Sequence, residues 1–412
     1  MLTRRQFLGR SAAAVAGSAI LPSFLARAAL AAQQGGSLGR YGGDSILVVI
    51  QMSGGNDGLN TVVPYGLDGY YQARPNLAIK ETDVLPLTDQ LGLHPAMGKI
   101  QELYQAGQVA IVQGVGYANP ILSHFRAMDI WQTAAPDSYE SRGWLSNFMA
   151  STPLDDGNPI FAASVTGELV RALYGNNVSV PTIASMGAYQ FRTDARYATD
   201  RGNQLGYANW VNGQDYSASP AQAHIARTGT TAIASSEGVQ AAASGYSSPV
   251  QYPNFPLANS LKTVAQLMGG ELGTRIYYVT FGGFDTHSAQ ANNHARLLGG
   301  FSDSVSAFLA DAAQMGKADR LLLMSFSEFG RRVQQNGSAG TDHGTAGPMF
   351  LIGPRVKGGI YADHPSLTTL EDSRNLRYGV DFRAVYGTTL DGWLGTDHSL
   401  ALGTRYENVG FI

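Results

Sequence analysis

Arg275-Ile-Tyr-Tyr-Val-Thr-Phe281 runs straight into Gly282-Gly283-Phe284-Asp285-Thr286-His287, an apolar stretch that stops at two glycines and opens onto a carboxylate and an imidazole. A short apolar run bounded by glycine reads as a buried strand, and in open α/β sheets ligands gather beyond the carboxyl ends of the strands. The pattern recurs on either side. Ile46–Met52 leads into Ser53-Gly54-Gly55-Asn56-Asp57-Gly58, and Leu321–Phe326 leads into Ser327-Glu328-Phe329-Gly330-Arg331. Thr341-Asp342-His343-Gly344 follows shortly after. Side chains able to do chemistry, repeated at strand ends, predict one composite polar site that contains metal.

Working outward, the stripe Leu297, Leu298, Phe301, Val305, Phe308, Leu309, Ala312 predicts a long amphipathic helix between the strands at 275 and 321. A strand, a helix and another strand make the right-handed crossover of a parallel sheet. Gln108–Gln113 reads as a further buried strand and Met349–Ile352 as another. His94-Pro95 opens a helix with proline at its first turn, and His94 reads as its cap. From about 150 to 256 the chain becomes rich in Ser, Gly, Ala, Asn and Tyr with little periodicity, which predicts an insertion or cap that shapes a pocket.

The N-terminus sets the compartment. Arg4-Arg5-Gln6-Phe7-Leu8, a weakly hydrophobic stretch to Leu25 and Ala29-Leu30-Ala31 read as a twin-arginine signal over residues 1–31, removed on export by the twin-arginine machinery to the periplasm or beyond. Pro22 and Arg27 interrupt the apolar stretch, which is too short to span a bilayer, so no membrane attachment is expected after cleavage. The chain has no cysteine, which excludes disulfides and thiolate metal sites. Removing the four signal arginines (Arg4, Arg5, Arg10, Arg27) from 28 basic residues leaves 24 against 31 acids, a formal charge of −7. With no basic run, nucleic acid is not expected as a partner.

Individually the clusters are ambiguous. Asp285 and Asp342 also suit caps and turns, and Glu328 also suits an ion pair with Arg331 or Arg332. Together, Asp285, His287, Glu328, Asp342 and His343 form a carboxylate and imidazole set suited to zinc, manganese or another divalent ion of intermediate hardness. The glycines around Asn56 and Asp57 let backbone amides approach an anion or a ligand. Ser123-His124 could supply a nucleophile and a base, but neighbours in sequence usually point apart, so each is expected to partner something distant.

The motifs Arg4-Arg5-Gln6-Phe7-Leu8, Gly54-Gly55-Asn56-Asp57-Gly58-Leu59-Asn60, Leu93-His94-Pro95, Ser123-His124-Phe125, Phe284-Asp285-Thr286-His287, Ser327-Glu328-Phe329-Gly330-Arg331 and Thr341-Asp342-His343-Gly344, in this order, resemble a bacterial secreted family of unknown function. That family is distantly similar to sulfatases and alkaline phosphatases. The resemblance implies an alkaline-phosphatase-like three-layer α/β/α sandwich with a mostly parallel central sheet over about 44–400. It also implies hydrolysis of phosphate or sulfate esters, on small-molecule or polymer substrates, with Asn56, Asp57 and Ser123 facing the substrate. Departures from the parent superfamily are visible: Met52-Ser53 stand where a carboxylate is expected, and Ala118 falls near the nucleophile's place. A non-catalytic protein binding a glycan or other polymer therefore stays open. A serine esterase is a distant third, because Gly43-Asp44-Ser45 precedes the first strand.

Overall fold

Strand β1, Ile46–Ser53, carries isoleucine, leucine and valine on both faces, as a central strand covered on two sides must. Ile46, Val48, Ile50 and Met52 enter one hydrophobic core; Leu47 and Val49 enter another. The first core is closed by helices Gly98–Gln105, Pro256–Gly269 and Gln290–Gln314. The second is closed by helices His124–Thr133, Trp144–Ser151 and Phe382–Thr388, with Trp131, Trp144, Phe148 and Tyr386 among its large aromatic members. Helices on two faces of one sheet make a three-layer α/β/α sandwich. This computed structural model describes residues 44–412 apart from 153–157, 159, 176–177, 193–195 and 197–198; the signal over 1–31 lies outside the described residues. Among the described residues no helix is long and apolar enough to cross a membrane.

The other strands of the main sheet are β2 (Val109–Gly116), β3 (Ala162–Val165), β4 (Ile276–Gly282), β5 (Leu321–Phe326), β6 (Gly347–Ile352), β7 (Gly359–Tyr361) and β8 (Val380–Asp381). Their order is β7-β2-β6-β5-β1-β4-β3, with β8 also pairing β2. All neighbours are parallel except β6, which is antiparallel to both β2 and β5. The sheet is therefore mostly parallel, as expected.

Register decides where the loops emerge. Gln51 of β1 pairs with Thr280 of β4 and with Phe326 of β5, so the ends of these three strands lie side by side. The loops beginning at Gly54, Gly283 and Ser327 consequently leave one edge. β2 runs the same way as β5, so the loop toward His124 leaves that edge too. β6 runs the opposite way, and the loop carrying His343 reaches the same edge by preceding its strand.

The stretch from 150 to 256 contributes β3, which pairs with β4 at the edge of the main sheet. It then forms helices Asp200–Asn212 and Pro220–Gly245. The second of these is built largely of alanine, serine, glycine and threonine, so its apolar stripe is too weak to be read from periodicity.

Candidate metal centre

Two loops lock each other at the heart of this edge. The carboxylate of Glu328, 1% exposed, accepts from the backbone N–H of Gly54 at 2.8 Å and of Gly55 at 3.3 Å. The guanidinium of Arg331 donates to the carbonyls of the same two residues, at 2.7 Å to Gly55 and also to Gly54. Gly54 has φ +120°, and a Cβ there would stand 2.4 Å from the amide nitrogen of Asp285. Only glycine fits such a backbone. The anion expected at the glycine loop is thus the protein's own Glu328.

This corrects the reading of Glu328 as an ion-pair partner of Arg331 or Arg332. Arg331 is buried and turns to Asp285, 2.6 Å away, and to the carbonyls of Thr341 and Phe284. Arg332 pairs with Asp342 at 3.1 Å. Segments 330–332 and 342–345 run as a short antiparallel ribbon, with Gly344 N–H to Gly330 carbonyl at 2.9 Å. A Cβ on Gly344 would stand 2.3 Å from the Arg331 backbone, so the ribbon closes only with glycine there.

Three imidazoles and one carboxylate then meet. His124 Nδ1 lies 2.8 Å from Glu328 Oε1, His343 Nδ1 lies 2.9 Å from the Leu122 carbonyl, and His287 Nδ1 lies 3.3 Å from Asp342 Oδ1. Each of these partners accepts hydrogen bonds, so each fixes the ring proton on Nδ1 and turns a lone pair on Nε2 inward. His287 Nε2 is 3.0 Å from both His343 Nε2 and Asp285 Oδ1, and His343 Nε2 is 3.1 Å from Asp285 Oδ1. His124 Nε2 is 3.5 Å from Asp285 Oδ2. Phe329, buried, lays its ring 4.9 Å from that of His124 and 4.7 Å from that of His343, forming an apolar wall.

Burial pushes the Asp285 pKa upward, but the hydrogen bond and charge of Arg331 lead the interactions that outweigh it, holding the carboxyl at about 2. The ligand atoms of His124, Asp285 and His343 all lie within 4.8 Å of one another. The fit to a cation rests on His124 Nε2, which is buried and has no hydrogen-bond partner among the described residues although it faces the cluster. Lone pairs crowded around a carboxylate repel unless a cation lies among them. Zinc bonds of about 2.0–2.1 Å place tetrahedral ligand atoms about 3.3 Å apart, close to these separations.

The remaining expected residues lie elsewhere or act through others. Asp285, His287 and His343 are brought together. Glu328 and Asp342 stand behind the imidazoles, with their oxygens engaged by His124 and His287. Asn56 and Asp57, expected to face substrate, are buried and bonded inward: Asn56 Oδ1 accepts from Thr61 at 3.0 Å, and Asp57 binds Arg74 and Gln290. Burial raises the Asp57 pKa, but the Arg74 charge and hydrogen bond more than offset it and leave it lowered. Ser123 is exposed, on the residue between Leu122 and His124, and makes no cap bond to its helix. His94 caps its helix as expected, accepting from Ala96 N–H at 3.0 Å. The residue not assigned to the metal from sequence is His124; the end of β2 pointed to the same edge.

The family profile described as a protein of unknown function, DUF1501, matches residues 44–399. The chain belongs to this family. No curated protein sequence matches it. Among solved structures it is similar to the PsFucS1 sulfatase from Pseudoalteromonas sp., at 12% identity over 95% of this chain and 75% of that one, with a TM-score of 0.37. It is also similar to the C-terminal periplasmic domain of EcEptC from Escherichia coli in complex with Zn, at 11% identity over 76% and 73%, TM-score 0.33. A third is the phosphonate monoester hydrolase of Agrobacterium radiobacter, at 10% identity over 89% and 79%, TM-score 0.33. At such scores the likenesses do not bear on activity.

Proposed function

We propose that this DUF1501 protein is an exported, metal-dependent hydrolase of phosphate or sulfate esters. The observation that carries the reading is the buried, partnerless His124 Nε2, facing Asp285 beside two other imidazoles whose Nδ1 atoms are already engaged. The donor set of imidazole and carboxylate without thiolate suits zinc or manganese. His124, Asp285 and His343 would hold the ion, with His287 beside them. When bound, the cation polarises an ester oxygen and offsets charge developing on it.

The chain's own residues do the rest. Glu328, Leu122 and Asp342 keep the three rings oriented, and Arg331 holds Asp285 ionised. Phe329 excludes water from one side and so strengthens each charge interaction at the centre. The attacking group is a hydroxyl, from Ser123 or from water. Ser123 is supported by its exposure and by its place between Leu122 and His124, both of which are bonded to the cluster.

The test is protein purified from its native export route, analysed for metal and then screened against phosphate monoesters, phosphate diesters and sulfate esters with and without chelator. Stoichiometric zinc or manganese and chelator-sensitive turnover are expected. Bound metal with silence across the screen would move the reading to a protein that binds a glycan or other polymer, and a metal-free native protein would sink both halves.

A further inference from the structure

The sheet has a fault immediately behind the cluster. The pairing of β2 with β6 shifts register between Val112 and Val115, leaving Gln113 and Gly114 as a bulge. Facing this stretch of β2 are Gly347 and Pro348, and proline has no N–H to give a ladder. Two small cavities adjoin here and share Gly347 and Pro348 in their walls. The inner one is lined by Trp131, Asn56, Thr345 and the residues on either side of Glu328, namely Ser327 and Phe329. The outer one is lined by Gln113, Gly114, His364 and Leu376.

Each cavity has a buried donor that finds no partner among the described residues. Trp131 is 3% exposed and its Nε1–H is unpartnered; the indole is held by stacking on Phe326, 5.2 Å between centroids. Gln113 is 3% exposed and its Nε2 is unpartnered. His364 Nδ1, also buried and unpartnered, lines the outer cavity with Gln113. An indole N–H can only donate, so its missing partner must be an acceptor. Buried polar groups of this kind are satisfied by protein or by ordered water in the great majority of cases.

We propose that the fault is a built internal water site. One water accepts from Trp131 Nε1–H in the inner cavity, and one accepts from Gln113 Nε2 and donates to His364 Nδ1 in the outer. The cavities are water-sized, and a buried water needs two to four polar partners, which these walls supply. The same helix carries His124 at its start and Trp131 two turns on. The inner water would therefore tie the helix of a metal-binding imidazole to the wall beside Glu328. This inference does not depend on ester hydrolysis.

A high-resolution crystal structure of the full mature protein is expected to show ordered water within hydrogen-bond distance of Trp131 Nε1 and of Gln113 Nε2; featureless density at both would overturn the proposal. Gln113→Leu gives an independent reading with opposite signs. If water is bound, the substitution strips it of a donor and should lower the thermal midpoint by roughly 2 °C. If the cavity is dry, removing an unsatisfied buried N–H should leave the midpoint unchanged or raise it, which would overturn the outer half. Should that variant not fold, the indole resonance of Trp131, identified among the four tryptophans by Trp131→Phe, reports on the inner half. A cross-peak to long-lived water supports it, and none overturns it.

Discussion

Nδ1 of His124 and Oε1 of Glu328 stand 2.8 Å apart, joining a helix start to a strand end 204 residues away. The carboxylate side of this contact is saturated by the amides of Gly54 and Gly55 and by the Ser327 hydroxyl at 3.1 Å. Glu328 is thus held rigidly and sets which nitrogen of His124 faces the cluster.

Glu328→Gln is expected to weaken metal binding by about 10–100-fold, the usual effect of losing such an orienting partner. Either orientation of the new amide sets an NH2 group against a donor: the glycine amides or the His124 ring proton. A competition titration with a chromophoric chelator measures the change. Metal affinity equal to wild type would show that Glu328 does not orient His124.

Arg74→Met is expected to cost about 3–5 kcal/mol of stability, because it strands the Asp57 carboxylate, which has no exposed side-chain surface. Metal content should stay stoichiometric in whatever fraction folds. Denaturant unfolding followed by elemental analysis separates the two effects; a loss under about 1 kcal/mol would contradict the buried-pair account.

Acid should destabilise the protein well above the range where carboxylates protonate. His294 is fully buried, and burial, its largest cause, lowers its pKa to about 4; nearby Arg74, Arg331 and His94 push the same way and Asp57 opposes them. The unfolded chain binds the proton at about 6.5 and the folded protein resists it until about 4. The contribution is therefore complete above about pH 6.5 and is lost as pH falls toward 4, on the order of 3 kcal/mol for this one residue. His294→Gln, compared with wild type in urea melts across this window, should flatten the slope. An unchanged slope would assign the acid sensitivity elsewhere.

Lysine at Arg4 and Arg5 together is expected to block export and leave uncleaved precursor in the cytoplasm. Fractionation and precursor size check this. Normal processing of the double variant would rule out the twin-arginine route.

The sheet was legible because Ile46–Met52, Leu321–Phe326 and Ile276–Phe281 are apolar runs, each with a single polar residue near its end, closed by glycine or polar clusters, and parallel strands align their ends whatever the intervening length. Asp285, His287 and His343 followed from that alignment. The reversal of β6 did not, because an apolar hexapeptide reads the same in either direction. Nor did the division of labour among the carboxylates. Glu328 and Asp285 occupy equivalent strand-end positions, and only the backbone amides around Glu328, against the Arg331 guanidinium on Asp285, show which one backs an imidazole and which one faces the lone pairs. Asp57 looked available for chemistry because its partners, Arg74 and Gln290, come from distant segments that no local pattern connects to it.

The peptide units of Gly54 and Gly55 are gripped on their amide side by a carboxylate and on their carbonyl side by a guanidinium, both drawn from the segment Ser327–Arg331. Removing Glu328 would strand the buried amides and removing Arg331 the carbonyls, while Arg331 keeps Asp285 as its own counterion. Glu328 and Arg331 thus close one clasp from its two sides, with the two glycines as its silent third member.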